Sequence, residues 1–516
     1  MKKIFKYAII ALMSVSAVSC DAIFDNMEGD LSKMSAEDMV SSEAGMLRIL
    51  ANLYGNMPMS AFSTSDRDTF YANSSRSNSS YGNGGVSGWW SYSQMRSINK
   101  FIESLDAAAE KGIITEQTKN NFKGEAMTIR AYCYFGGVRT MGGMPIVEKT
   151  LDDQYGVNDN EGLYYERKTE KETWDWVIEQ LGKAADLLPE TQAQAMRINK
   201  YAALALQARV ALWAASESKY WNRTSIANEG YEAYSLKLQY MESKYADEYY
   251  KKAIEAAGKV INSGKYSLYG GATESASAAE TALQDLFQKW QPSEGILGRS
   301  YDSGASTSGN GVETLNGAWS THQVTKGYLS GTYSVTANYA DEFDEYAADG
   351  SSIRRKVVTN VNGDEDTYFT SAPEKNFKGS MAANYVHYPT VSGPFENKDA
   401  RFKAWINYPG TVFRGVTINV QGGMIYPDGT AAIYPLENEP YEYQGTTYYP
   451  FGGQAGDCSS FYMLPGDVNG HNRTEYSFTI RKFLDPANFN QYTQSPWYDL
   501  RYAEVLLTYA EAVAES

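Results

Sequence analysis

Cysteine and histidine are scarce in this sequence of 516 residues, which has three of each. The histidines are His322, His387 and His471. They lie far apart, so none has the spacing of paired metal ligands or of a catalytic triad. Beyond Cys20, the sequence has only Cys133 and Cys458, and we expect Cys133 to be a buried apolar side chain rather than part of a bridge. The sequence therefore predicts no metal centre, no cofactor and no disulfide framework.

Motifs of nucleophilic catalysis and phosphate binding are missing as well. Residues 327–331 have their serine in the wrong place for a Gly-x-Ser-x-Gly elbow, and residues 82–85 lack the strand–turn–helix context of a phosphate cradle. Residues 467–472 resemble a calcium loop, but the glycine comes too early and the distal glutamate is absent. Carboxylates are numerous, so their count alone leaves a glycosidase pair open. We predict a binding protein rather than an enzyme.

Positive charge is also in short supply, since 46 Lys and Arg face 62 Asp and Glu, for a formal net charge of −16. Nucleic-acid binding depends on cationic patches, so this balance excludes that class of partner. The composition, 43% hydrophobic and 21% charged, is that of a folded protein. A chain of this length exceeds a single core, which predicts two or more subdomains.

The amino terminus carries the pattern of an export signal. Lys2, Lys3 and Lys6 precede an apolar stretch that is too short to span a bilayer and that ends at Ser19 and Cys20. A cysteine directly after a small residue fits lipoprotein processing, in which the thiol takes lipid. We predict a lipoprotein signal peptide over 1–19 and a lipid anchor at Cys20; an ordinary secretory signal is the alternative.

The remaining chain changes character along its length. Residues 20–41 form a predicted tether, 42–269 a helical region, 270–495 an irregular, loop-rich region with short strands, and 496–516 a further helical segment. Helical periodicity and capping residues predict the main helices at Ser42–Tyr54, Trp90–Lys111, Thr115–Arg139, Lys171–Leu188, Asn199–Ser216 and Tyr240–Gly264. Small residues at helical spacing, Ala202, Ala205, Ala208, Ala211 and Ala215, predict close helix crossings.

Several separated blocks resemble the SusD/RagB family of surface lipoproteins. In chain order they are Trp90–Asn99, Gly124–Phe135 with Arg139–Ile146, Ala184–Pro189 with Ala202–Leu212, Val260–Leu268, Lys398–Phe402, and Arg481–Phe483 with Arg501–Leu507 and Ala510–Ala512. The most specific block is the Gly-Glu-Ala, Arg-Ala-Tyr and Tyr-Phe helix that ends in Gly-Gly-x-Pro. Lys398 and Ala400 depart from the family's Arg-Asp-Pro-Arg-Phe element. The resemblance runs from Cys20 to the last residue.

The resemblance implies a mainly α fold, in which tetratricopeptide-like helical hairpins form a right-handed scaffold for the irregular subdomain. It implies an outer-membrane, cell-surface location through the amino-terminal lipid. It further implies that the protein presents oligosaccharide to a SusC-like TonB-dependent transporter for nutrient uptake. Family members continue beyond the Ala-Glu-Ala helix, so we expect the C-terminal helices to be truncated in this sequence.

Two loop segments supply the side chains that sugar binding needs. Sugar rings have an apolar C–H face and a hydroxyl rim, so they bind to exposed aromatic rings flanked by polar groups. The family builds its ligand site from an early loop and from mid-chain loops. The predicted ligand-binding residues are Tyr71, Arg76, Tyr81 and Trp89 in the early loop, and Trp290, Tyr301, Trp319 and Tyr333 in the mid-chain segment. Trp319 is the preferred residue.

Three other functions remain open on the sequence alone. The same fold could bind peptides, as in the RagB branch, and retained binding after replacement of all exposed tryptophans would favour that function. A surface glycan hydrolase would release products from polysaccharides. A structural scaffold would bind no ligand.

Overall fold

The computed structural model describes residues 40–59, 90–150, 163–221, 232–271, 275–301, 392–408, 410–419, 478–487 and 494–516, together with shorter pieces between residues 72 and 459. The chain forms two compact units. The first consists of residues 1–58, 88–191 and 198–249, and the second of residues 59–87, 192–197 and 250–516.

The first unit is helical in its described part. Its helices are α1 (Glu43–Tyr54), α2 (Tyr92–Glu110), α3 (Glu116–Met141), α4 (Glu170–Leu187), α5 (Lys200–Tyr220) and the short α6 (Glu232–Ser235). Helix α3 packs against α2 and α4, and α4 packs against α5. The predicted helices of this region are therefore confirmed. The ends of α1 to α5 move by four residues or fewer, whereas the helix predicted from Tyr240 starts six residues later, at Ala246.

Polar residues start each long helix of this unit. Their side chains accept the backbone N–H of the residue three positions on, which satisfies a donor that has no partner inside the helix. These residues are Ser42, Ser91, Thr115, Thr169 and Asn199. Thr169 and Glu172 form a full capping box at the start of α4.

Helix α3 is buried on all sides over most of its length. Side chains from Phe122 to Val138 lie in the core almost without interruption, which explains why this helix lacks a clear polar face. A side chain at Gly124 would meet Cγ of Leu188 at 2.7 Å and the carbonyl oxygen of Ala184 at 3.0 Å. The predicted small residues of α5, Ala202 to Ala215, are buried as well. Close helix contact is thus confirmed.

A buried guanidinium joins three elements of this core. Arg130 is 4% exposed, and its Nη atoms donate to Oδ1 of Asn99 at 2.8 Å, to Oε1 of Gln180 at 3.2 Å and to the carbonyl oxygen of Glu148 at 3.2 Å. Its Cζ lies 5.6 Å from the ring centroid of Trp176. Burial lowers the pKa of Arg130. Because a buried charge is tolerated only with partners, these contacts give the arginine of the Arg-Ala-Tyr block a structural role in this core.

The second unit combines helices with many short strands. Its helices are α7 (Ala246–Asn262, from Tyr250 onward in this unit), α8 (Ala276–Gln288), α9 (Ala400–Trp405) and α10 (Tyr502–Glu515). Its strands are β1 (Ala72–Ser74), β2 (Gly295–Arg299), β3 (Tyr333–Val335), β4 (Asp344–Tyr346), β5 (Ser352–Arg354), β6 (Ile406–Asn407), β7 (Val412–Phe413), β8 (Val416–Asn419), β9 (Gly423–Ile425), β10 (Ala431–Ile433), β11 (Tyr441–Tyr443), β12 (Thr446–Tyr448), β13 (Cys458–Ser459), β14 (Phe478–Ile480) and β15 (Trp497–Arg501). The prediction of an irregular region with short strands is confirmed.

The strands form small sheets rather than one large one. The largest has the order β1-β3-β14-β6, and the others have two or three strands. Strand β15 pairs with β2 in antiparallel register, with Trp497 opposite Arg299 and Tyr498 opposite Gly298. The sequence prediction of helix from Trp497 was wrong over these five residues, because pairing with a strand 200 residues earlier decides their conformation. The helix begins at Tyr502.

No helix in the described ranges is long and apolar enough to cross a membrane.

Candidate functional site

The two loop segments predicted to bind ligand are paired with each other. Strand β1 of the early segment runs antiparallel to β3 of the mid-chain segment, with Ala72 opposite Val335, Asn73 opposite Ser334 and Ser74 opposite Tyr333. The paired residues lie about 260 positions apart in the sequence. A short antiparallel ladder holds facing residues about 5 Å apart, so the two segments meet at one place in the fold.

This pairing fixes where several predicted binding residues enter the structure. Tyr333 is the first residue of β3 and lies opposite Ser74. Tyr71 directly precedes β1, and Arg76 follows its last residue by two positions. Among the described strands, β1 lies at the edge of its sheet. Residues that directly precede or follow β1 in the sequence are therefore connected to the edge of the sheet. Three of the eight predicted residues are therefore close in the chain to a single strand pair.

Trp290 lies in an aromatic cluster elsewhere in the second unit. Its indole is half-buried and stacks on Tyr498, with ring centroids 4.6 Å apart and planes 16° from parallel. A side chain at Gly295 or at Gly298 would come within 2.5 Å of the Trp290 ring. The two glycines of β2 thus allow the indole to lie directly on the strand. These contacts give Trp290 a packing role.

The phenol of Tyr498 ties this cluster to the main chain. Its oxygen donates to the carbonyl oxygen of Lys289 at 2.8 Å and accepts from the N–H of Gln291 at 2.6 Å. Burial raises the pKa of Tyr498 to about 12. Tyr498 therefore hydrogen-bonds to the two residues that flank Trp290 in the sequence, Lys289 and Gln291. These bonds fix the backbone on both sides of Trp290.

Tyr301 follows β2 and is half-buried. The guanidinium of Arg299 lies over its ring, 5.1 Å from Cζ to the centroid. Burial raises the pKa of Tyr301, and Arg299 opposes that shift. An exposed arginine beside a phenol is a pair of groups that can hydrogen-bond sugar hydroxyls and contact a sugar face.

A lysine with three aromatic neighbours lies in the same cluster and was not singled out by sequence reasoning. Nζ of Lys482 is 4.3 Å from the ring centroid of Phe287, 4.6 Å from that of Trp405 and 5.3 Å from that of Phe483. Burial, with Arg501 nearby, lowers the pKa of Lys482 to about 7. Its family block, Arg481–Phe483, was recognised, but sequence spacing could not indicate that rings from α8 and α9 surround it.

The other predicted residues, Arg76, Tyr71, Tyr81, Trp89 and Trp319, lie outside the described residues, as do Cys20 and the calcium-like loop at 467–472. For Tyr333 the backbone alone is described. Within the described part of the chain, no group of three or more His, Cys, Asp and Glu side chains is placed to hold a metal ion.

Cys133 is a free, buried thiol on α3. It donates to the carbonyl oxygen of Asn56 at 3.3 Å, and burial raises its pKa to about 12. A thiol that stays protonated at neutral pH is a poor nucleophile. The prediction of a buried, apolar role for this residue is confirmed.

Comparisons with known proteins agree with this architecture. Residues 31–212 match a SusD-like family described as starch-binding and associating with the outer membrane, and residues 293–516 match the SusD family. A SusD-like protein from Bacteroides fragilis NCTC 9343 is 19% identical, with a TM-score of 0.59 over 93% of this chain and 77% of that chain. A SusD-like carbohydrate-binding protein from the same organism is 16% identical, with a TM-score of 0.55 over 92% of this chain and 75% of that one. No curated protein matches the sequence.

Proposed function

From the premise that this chain belongs to the SusD/RagB family, we propose that it is a glycan-binding lipoprotein of the cell surface. It captures oligosaccharide and delivers it to a SusC-like TonB-dependent transporter for uptake. The family description, starch-binding and associating with the outer membrane, supports the ligand class and the location. So does the structural similarity to a protein described as carbohydrate-binding, whose fold this chain shares.

The observation that carries the proposal is the β1–β3 pair. It joins the early segment, with Tyr71 and Arg76, to the mid-chain segment with Tyr333. A glycan site needs several rings and polar groups in one place, and loop segments far apart in sequence can supply them only when the fold joins them. Trp319 lies in the same mid-chain segment, and Trp89 follows the early segment in the sequence; we propose both as further ligand-binding residues.

The membrane anchor belongs to the same proposal. A lipid on Cys20 tethers the folded part through the acidic segment that follows it. Replacement of Cys20 by alanine is expected to move the protein from the membrane fraction to the soluble fraction without loss of glycan affinity. A Cys20→Ala variant that stays with the outer membrane would contradict lipidation at this residue.

Calorimetry or affinity electrophoresis against a panel of polysaccharides tests ligand binding. We expect one or more glycans to bind, and Trp319→Ala and Trp89→Ala each to weaken that binding about tenfold or more, the amount that one lost stacking contact accounts for. Tyr164→Ala is the matched control, because Tyr164 is a 79% exposed aromatic residue of the first unit. Unchanged affinity in both tryptophan variants would rule out the assigned site.

Ser334→Pro tests the strand pair itself. Proline cannot donate to a ladder and disfavours pairing, so we expect loss of glycan binding while the helices of the first unit keep their far-ultraviolet circular dichroism. Glycan affinity that survives both Ser334→Pro and the tryptophan replacements would show that glycan binds at another surface. Release of sugar products from any polysaccharide of the panel would instead identify a hydrolase.

A further inference from the structure

A pocket of about 500 Å³ opens in the first unit. It lies where the end of α3, the start of α4 and the last turns of α5 come together. Its chemically active lining consists of Arg139, Glu170, Trp213, Glu217, Tyr220 and Trp221. Pockets of this volume accommodate small molecules or a single long side chain. None of these six residues was a predicted binding residue.

Two carboxylates in this pocket have no cationic partner among the described residues. Glu170 is 5% exposed, and its Oε1 accepts from Nε1 of Trp174 at 3.2 Å. Burial raises the pKa of Glu170 to about 7, with the nearby charge of Glu217 acting in the same direction, and burial raises the pKa of Glu217. No described lysine or arginine forms an ion pair with either side chain. Arg139 is the one cationic group among these six lining residues, so acidic groups outnumber basic ones in the pocket once Glu170 is ionised, above about pH 7.

Aromatic rings form much of the remaining wall. Trp213 is 39% exposed, while Tyr220 and Trp221 are half-buried. The guanidinium of Arg139 lies over the ring of Trp213, with 5.2 Å from Cζ to the centroid, and over that of Phe135 at 5.0 Å. The Trp213 ring thus already has one cation over it, that of Arg139, which shows that a cation is stable against this ring.

We propose that this pocket binds an organic cation, an ammonium or guanidinium group carried on a small body that contacts the rings. A neutral sugar would contact the rings but would leave Arg139 as the one cation facing two carboxylates among the named lining residues. A cation compensates the carboxylates and also interacts with the faces of Trp213 and Trp221. An amino sugar and a basic peptide side chain carry the same group, so both are sources of such a ligand. The inference is independent of the glycan site in the second unit.

Calorimetry with matched pairs of probes at about pH 7 tests the charge requirement. The cationic probes are glucosamine and Nα-acetyl-lysine amide, and their neutral matches are glucose and Nα-acetyl-norleucine amide. We expect a cationic probe to bind about tenfold or more tightly than its match. The probe that binds more tightly identifies the source as an amino sugar or a peptide. Equal affinity within both pairs, or no heat from any probe at millimolar concentration, would overturn the proposal.

A double variant, Glu170→Gln with Glu217→Gln, tests the residues. Glutamine keeps the shape of each side chain and the acceptor for Trp174, so the fold is expected to survive, which thermal unfolding checks. The cationic probe should lose about tenfold or more in affinity, whereas Glu179→Gln should change nothing, because Glu179 is an exposed carboxylate of α4 paired with Lys183. Wild-type affinity in the double variant would overturn the assignment. Glycan affinity in the second unit should be the same in all three proteins.

Discussion

Helix α3 of the first unit and the strand pair β2–β15 of the second are both buried, but their contacts span very different distances in the sequence. The polar partners of Arg130 lie 18 to 50 residues away. The hydrogen bonds that hold Tyr498 and Arg501 reach back 207 to 209 residues. The first arrangement is a set of neighbouring helices, and the second requires distant segments to meet. Contacts between helices that are close in the sequence go with a periodic pattern of apolar residues. Contacts between segments far apart in the sequence leave no such pattern.

The largest effect is expected from Arg130→Met, which removes the short-range contacts of the first unit. Arg130→Met keeps an apolar chain of similar length but leaves Oδ1 of Asn99 and Oε1 of Gln180 buried without their donor. Each buried acceptor left without its donor costs about 1–3 kcal/mol. Urea denaturation should show this loss, and hydrogen exchange should place it in α2, α3 and α4.

Lys100→Met is the control for that variant. Lys100 is an exposed residue on α2, so its replacement should change the free energy of unfolding by less than about 0.5 kcal/mol. A similar free energy of unfolding for both variants would mean that the Arg130 network does not stabilise the first unit.

The next largest effect is expected in the second unit, at Lys482, and its contribution to the free energy of unfolding depends on pH. Lys482 has a pKa of about 7 in the folded state, below its usual 10.5, because burial disfavours the ammonium form. The unfolded chain therefore binds more protons between about pH 7 and pH 10, so the destabilising contribution of Lys482 is full below pH 7 and fades as pH rises. Lys482→Met should raise the free energy of unfolding by about 2 kcal/mol or more at pH 6, with a shrinking gain toward pH 10.

Thermal unfolding of both proteins at pH 6, 7.5 and 9 measures this difference. Lys289→Met, at an exposed position of the same unit, is the control. It should change the thermal unfolding temperature by the same amount at all three pH values. A constant gain for Lys482→Met across the range would show that Lys482 is charged in the folded state.

The same comparison explains how much could be predicted. Caps such as Thr115, helical periodicity and the Gly-Glu-Ala block located helices α1 to α5 within four residues. Strand β15 was predicted as helix, because its apolar and charged residues fit a helical period and only its pairing with β2 decides otherwise. The family resemblance implied that two loop regions build one ligand site, but the pairing of β1 with β3 was not predicted, since no local pattern indicates it.

The pocket between α3, α4 and α5 was missed for a related reason. In the sequence, Glu170 and Glu217 have the pattern of ordinary acidic residues on helices. Trp213 has the spacing of an aromatic residue that packs against a neighbouring helix. Their shared surface depends on the angles at which three helices meet, which sequence spacing does not give. A buried glutamate at the first position of a helix was the one signal available.

A matched pair of glycines sharpens the comparison within the second unit. A Cβ at Gly298 would lie 2.5 Å from the carbonyl oxygen of Trp497 and 2.5 Å from Cζ3 of Trp290, so Gly298→Ala must displace backbone or indole. Overpacking of this kind costs about 1–3 kcal/mol. Gly258 in α7 has only Cε2 of Tyr509 nearby, at 3.8 Å, so Gly258→Ala should be neutral or stabilise by up to about 1 kcal/mol. Chemical denaturation of the two variants measures both, and equal values would mean that the β2–β15 pair tolerates a shift.

The smallest effect returns to local structure, at the start of α4. Oγ1 of Thr169 accepts from the N–H of Glu172 at 3.2 Å, and the N–H of Thr169 donates to Oε2 of Glu172 at 2.9 Å. Thr169→Ala removes the side-chain half of this box and should cost about 1 kcal/mol, while Thr169→Ser should keep most of it. Urea denaturation of the three proteins measures the difference. Because the cap acts only on its own helix, the loss should add to that of Gly298→Ala within about 0.5 kcal/mol; a larger deviation would show that the local and distant contacts of this protein are coupled.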